Sequence, residues 1–235
     1  MGINAKKVQG NGGGNRVEQP NIEPGVYPAR LVQLLDMGLQ AQRAFQGKDK
    51  PPAQEIMLTY ELVDEFMKDE EGNDVEDKPR WVSETFPLHN LKADLAKSTK
   101  RYLAFDPTEA FDGDWSKCVD MPINITMVQN KVGDKVYDNV ANIGAMRPKD
   151  AAACPPLQNG SKVFDLDNPD MEVFNSLPEW IRKKIMGNLN YAGSPLEALI
   201  EKAPKEDKKE KPVKKDRKPV EPADDTDDSD DDNPY

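Results

Sequence analysis

Apolar residues recur with two periods between Pro24-Gly25 and Arg147-Pro148, and the change from one period to the other orders the elements. Ala29, Leu31, Val32, Leu34 and Leu35 crowd the run from Val26 to Asp36, which predicts a long strand ending near Gly38. Ile56, Leu58, Tyr60 and Leu62 alternate with Glu55, Met57, Thr59 and Glu61, the period of a half-buried strand in which Tyr60 belongs to the core. A third strand is predicted over about 80–88, where Glu84 shares a phase with Val82 and Phe86 and so leaves the inward face open. The period then lengthens. Leu91, Leu95, Tyr102 and Leu103 fall on one helical face, with Asn90 as its N-cap. Alternation returns at Ile123, Ile125 and Met127, and Lys131-Val132-Gly133-Asp134-Lys135 signals a hairpin into a fifth strand, Val136 to Met146.

Beyond Arg147-Pro148 strand character is lost. Ser176-Leu177-Pro178-Glu179 and Ser194-Pro195-Leu196-Glu197 are capping boxes, the first before Trp180, Ile181 and Ile185, the second before Leu199 and Ile200. Two short helices follow from them, with apolar faces expected to pack on the strands. The 235 residues therefore divide into a flexible basic Gly-rich arm (1–23), a strand-rich body (24–147), a helical extension (148–201), a Lys-rich linker (202–220) and an acidic tail (221–235).

Charge sharpens that division. Charged residues are 32% and hydrophobic ones 37%, a balance that points to unfolded ends around one folded body. Of the net −11, residues 221–235 contribute −8 and residues 202–220, with nine Lys/Arg against four Asp/Glu, contribute +5, which leaves −8 for the rest. Nucleic-acid contact by an acidic body requires its bases to cluster on one face, because the local field rather than the total decides.

The reactive inventory is short. His89 is the only histidine, and Cys118 and Cys154 are the only cysteines. No catalytic constellation, zinc pattern or redox pair is signalled, and the two thiols read as buried or idle. Asp69-Glu70-Glu71 sits in a turn and reads as a solvated charge run. Gly10 to Gly14 is no phosphate loop, since no Gly-Lys-Ser/Thr follows. The expectation is a binder and not an enzyme, with no cofactor and no metal. The start carries no apolar run of signal-peptide or membrane length, which points to a cytoplasmic, membrane-free setting.

Two loops interleave bases with rings. The loop after the first strand holds Arg43, Phe45, Lys48 and Lys50, and the hairpin between the fourth and fifth holds Lys131, Lys135 and Tyr137. Arg80 and Trp81, at the start of the third strand, extend the same track. Cations neutralise phosphates and exposed rings stack bases without reading sequence, which is the chemistry of single-strand binding.

The chain ends Asp230-Asp231-Asp232-Asn233-Pro234-Tyr235, closing an acidic run of eight carboxylates with a proline and a ring. This resembles the Asp-Asp-Asp-Ile-Pro-Phe tail of bacterial single-stranded DNA-binding proteins and the acidic, aromatic-ended tails of phage proteins with the same job. Three strands, a helix, then two strands is also the order of the oligonucleotide-binding (OB) barrel. Together these resemble a bacteriophage single-stranded DNA-binding protein. The resemblance implies a mainly β fold: a five-stranded OB-type barrel over 24–147 with a helix between strands 3 and 4, C-terminal short helices and a disordered acidic tail. It also implies binding and protection of single-stranded DNA during phage replication, recombination and repair, in the cytoplasm of the infected bacterial host. Asp230, Asp231, Asp232, Pro234 and Tyr235 would then recruit partners such as DNA polymerase, helicase-primase or nuclease. Homo-oligomerisation stays open. The alternatives are a non-catalytic acidic chaperone or protein-interaction adaptor, with the same tail but no DNA affinity, and a nuclease with carboxylate-held metal.

Overall fold

The computed structural model describes residues 17–44 and 47–202; the start of the basic arm, Phe45 with Gln46, and the linker and tail from 203 onward lie outside the described residues. Along the chain come β1 (Gly25–Gln40), β2 (Ala53–Lys68), β3 (Asp74–Pro87), α1 (Lys97–Phe105), a 3-10 turn (Trp115–Cys118), β4 (Pro122–Val132) and β5 (Lys135–Ala145). They are followed by α2 (Pro148–Ala153), β6 (Lys162–Phe164), α3 (Met171–Ser176), α4 (Glu179–Met186) and α5 (Pro195–Lys202). The protein is mainly β. Strands β3-β2-β1-β4-β5 form one antiparallel sheet, and β6 adds in parallel beside β1.

β1 serves two neighbours on the same side, pairing first with β4 (Gly25↔Met127 to Arg30↔Pro122) and then with β6 (Gln33 to Leu35), while β2 runs along its other edge. Register shifts at Leu31/Gln33 and Asp36/Gly38 bend it between those partners. The inward residues Ala29, Leu31, Leu58, Tyr60, Leu62, Ile123, Ile125 and Met127 are buried with Tyr102 and Trp115 in one core.

No backbone ladder joins β3 to β5 among the described residues, so the sheet is not closed by strand pairing. Side chains bridge that seam instead. Glu84 of β3 points inward and is buried, as is Arg101 of α1. Arg101 Nε and Nη2 donate to the two Glu84 carboxylate oxygens at 2.9 and 3.2 Å, and Nη2 and Nη1 reach β5 at the Ala141 carbonyl (3.2 Å) and Asn142 Oδ1 (3.0 Å). The Tyr60 hydroxyl donates to Glu84 at 2.9 Å, and burial, then the Glu84 charge, push that phenol well above its usual range. At the seam's other end residues 17–22 are the filler. Ile22 is buried, its N–H donates to Asp138 of β5 at 2.9 Å, and Arg80 of β3 donates to the Pro20 carbonyl at 2.7 Å.

A second core lies on the outer face of β1 and β2, where Leu35, Met37 and Met57 meet Phe164, Phe174, Leu177, Ile181, Ile185 and Leu196. Each large side chain buried there contributes about 1.5–3 kcal/mol, which anchors the helical extension to the sheet. Gly38, at φ 76°, is where the two join. A Cβ there would stand 2.6 Å from Asn188 Cγ, and Leu189 N–H donates to the Leu39 carbonyl at 2.8 Å.

Local signals were partly overridden. The helix expected from Asn90 starts at Lys97, because Asn90 Oδ1 accepts from Lys92 N–H at 2.9 Å in a turn and Leu95 is exposed with nothing to pull it inward. Ser176 closes α3 by donating to the Val173 carbonyl at 2.7 Å, and α4 starts after Pro178. Ser194 does cap α5, accepting from Glu197 N–H at 3.2 Å.

Cys118 is buried, and burial pushes its thiol up to about 12, with Asp106 and Asp114 adding to the effect; it is chemically quiet. Burial pushes the Asp106 carboxyl up too, but the N–H groups of Phe111 (2.7 Å) and Ala110 (2.9 Å) and the Tyr102 hydroxyl (3.0 Å) outweigh it and hold the group below the usual carboxylate range. A depressed folded-state value stabilises the fold above the ordinary Asp value of about 3.9 and loses that contribution as pH falls through the folded value. Asp106→Asn is therefore expected to lower the melting temperature by several degrees at pH 7, with the gap to the parent narrowing on acidification below about pH 4. A gap independent of pH would show that the charge plays no part.

Candidate nucleic-acid interface

β4 and β5 outrun their neighbours. Pairing continues from Gln129↔Asp138 through Asn130↔Tyr137 and Lys131↔Val136 to Val132↔Lys135, past the last β1 pair at Gly25↔Met127. The result is a two-stranded ribbon turned by Gly133 (φ 60°) and Asp134, on which Lys131, Val132, Lys135, Val136 and Tyr137 are exposed. Cross-strand partners share a face, so Tyr137 and Lys135 stand with Val132 on one side and Lys131 with Val136 on the other.

Arg80 is not free to follow the track. Its side chain is 13% exposed, bonded to Pro20 and 3.8 Å from Asp138 in an ion pair across the seam. That pairing has a useful consequence. Successive strand residues face opposite ways, so turning Arg80 and Asp138 toward each other turns Trp81 and Tyr137 outward on the two strands flanking the seam. They are 42% and 50% exposed. Trp81 is held rather than loose: its indole N–H donates to Glu61 at 3.0 Å. Glu61 is itself buried on the outer face, accepting from Gln158 N–H and Asn159 Nδ2, each at 2.7 Å.

From Trp81 an exposed row runs along β3 through Ser83 and Thr85. It leads to the β1–β2 loop, since Glu55 at the start of β2 pairs with Pro87 at the end of β3. Arg43, Lys48 and Lys50 are exposed in that loop, while Phe45 lies outside the described residues. The loop and the β4–β5 ribbon thus stand at opposite ends of β3, with its exposed row between them. The outer face of neighbouring β2 is unavailable, because Met57 is covered by the helical extension and Glu61 by residues 158–159. Asp230, Asp231, Asp232, Pro234 and Tyr235 lie outside the described residues.

Sequence reasoning missed Glu61 and the ion pair of Arg80 with Asp138, since the partners are far apart along the chain. The one available signal was Glu61 itself, a carboxylate in a strand otherwise rich in apolar residues. No protein-family model matches this chain, and no curated protein matches it.

Proposed function

We propose that this chain binds single-stranded DNA without sequence specificity, on an OB-type barrel whose open seam is bridged by side chains, in phage DNA replication and recombination. The observation that carries the reading is the pair of outward rings, Trp81 and Tyr137, on strands flanking the seam, with Lys131 and Lys135 on the same ribbon and Arg43, Lys48 and Lys50 at the far end of β3. Rings presented at a surface stack only on bases that are already unstacked, and the lysines and arginine neutralise phosphates on either side. Duplex offers no such bases. In this reading residues 221–235 recruit replication proteins and compete with DNA for the same cations, an effect of a −8 segment carried on the same chain.

Titration of dye-labelled oligo-dT, with duplex as competitor and at two salt concentrations, tests it. Single strands are expected to win, affinity is expected to fall as salt rises, and removal of residues 221–235 is expected to tighten binding most at low salt. Equal affinity for duplex, or none for either at low salt, removes DNA binding and leaves a protein-interaction adaptor.

A further inference from the structure

The sequence reads Trp180, Ile181 and Ile185 as the apolar residues of one short helix expected to pack on the strands, yet of the three only the two isoleucines are buried. Trp180 is 60% exposed, the most exposed aromatic side chain among the described residues. It does not stand alone. Lys183 and Lys184 follow at i+3 and i+4, on the same face of α4. Lys184 lines a cleft of about 360 Å³ between α4 and the β1–β2 loop, together with Arg43, Lys50 and Glu55. Three cations face one carboxylate there, and that carboxylate is held by Lys184 at 2.8 Å and by Gln42 at 2.9 Å.

The cleft is built on fixed parts. Gln40 donates to the Lys184 carbonyl at 3.2 Å and Leu189 N–H to the Leu39 carbonyl at 2.8 Å, so the last turn of α4 is tied to the root of the loop. Its surplus positive charge suits a chain of phosphates, and the ring one helical turn away suits a base next to them. It also continues the exposed row of β3, whose last residues pair with the start of β2 beside Glu55.

Resting on the single-strand reading above, we propose that the helical extension is part of the DNA path: the strand leaves the β3 row through this cleft, with phosphates against Arg43, Lys50 and Lys184 and a base on Trp180. The anchoring helices thereby lengthen the site beyond the sheet.

Full-length protein titrated with oligo-dT of about 8 nucleotides, within the roughly 4–16 that a single barrel covers, and of about 30, well beyond it, separates the two contributions. The variants are Trp180→Ala and Lys184→Gln, the second at the one cleft cation outside the β3 track, with melting temperature as the check on folding because Lys184 also pairs with Glu55. On the longer strand Trp180→Ala is expected to weaken binding about 5- to 100-fold with the salt slope unchanged, and Lys184→Gln to lower the slope by about one. On the short strand both are expected to bind within about twofold of the parent, because a barrel-sized site is satisfied without the cleft. Parent-like binding of the long strand by both variants overturns the proposal while leaving the DNA reading intact. Tighter binding by Lys184→Gln also overturns it, and assigns the cleft to the acidic segment 221–235 instead. Failure of the parent to bind either strand removes the reading on which the proposal rests.

Discussion

Arg101→Met is expected to destabilise the fold by about 3–5 kcal/mol, read as a lower urea midpoint at unchanged slope. The guanidinium is buried, and removing it leaves Glu84 inside the fold with only the Tyr60 hydroxyl and the half-exposed Lys97 ammonium at 2.7 Å. It also strips a donor from the Ala141 carbonyl on β5. Most of the cost is that of a buried carboxylate left short of donors rather than of a lost attraction, and the double variant distinguishes the two. Arg101→Met/Glu84→Met removes both charges and is expected to recover more than about 1 kcal/mol relative to the sum of the single losses, although the Tyr60 hydroxyl loses its acceptor. Additive losses, or a single-variant loss under about 1 kcal/mol, would show that this network does not hold β3 to β5.

That network also explains where periodicity succeeded and where it stopped. Apolar position located the five long strands, by a continuous run in β1 and by alternation in β2, where Ile56, Leu58, Tyr60 and Leu62 are all inward, as spaced, although the structure buries both faces of β1 and β2. Their ends were not legible. β2 and β3 continue to Lys68 and back from Asp74 as a hairpin whose β2 arm is mostly half-buried and whose β3 arm is mostly exposed, so that burial there imposes no clean alternation. Glu84 looked like a break in the β3 pattern and is its centre. It is in phase because it is buried, and it is buried because Arg101, 17 residues on, neutralises it. A one-dimensional pattern registers the carboxylate and not the partner.

The candidate site divides the same way. Residue type and loop position sufficed for Lys131, Lys135 and Tyr137, since a two-residue turn between alternating strands leaves its flanks exposed. Arg80 and Trp81, adjacent in sequence, were read as one feature and have opposite roles, the arginine turned into the seam and the ring out of it. Strand alternation requires that split, but which residue faces inward depended on Asp138 being opposite. Coverage of β2 by residues from 158 onward is likewise a long-range event, written in no local motif.

The rings give the largest functional effect. Trp81→Ala and Tyr137→Ala are each expected to weaken single-strand binding by about 1–3 kcal/mol, and the double variant by about 2–6, because two rings on different strands stack different bases. The salt slope is expected to hold, since no phosphate contact is removed. Tyr137 is half exposed on the ribbon, so its loss is expected to leave the melting temperature unchanged. Trp81→Ala removes one of three donors to the buried Glu61 carboxylate and is expected to lower it. Trp81→Phe separates the two roles: it keeps a stacking face and loses the indole N–H, so binding is expected to stay near the parent's while the thermal loss persists. If Trp81→Ala lowers only the melting temperature and Tyr137→Ala changes nothing, the outward rings are surface features of the seam, and single-strand binding has to be sought elsewhere on the protein.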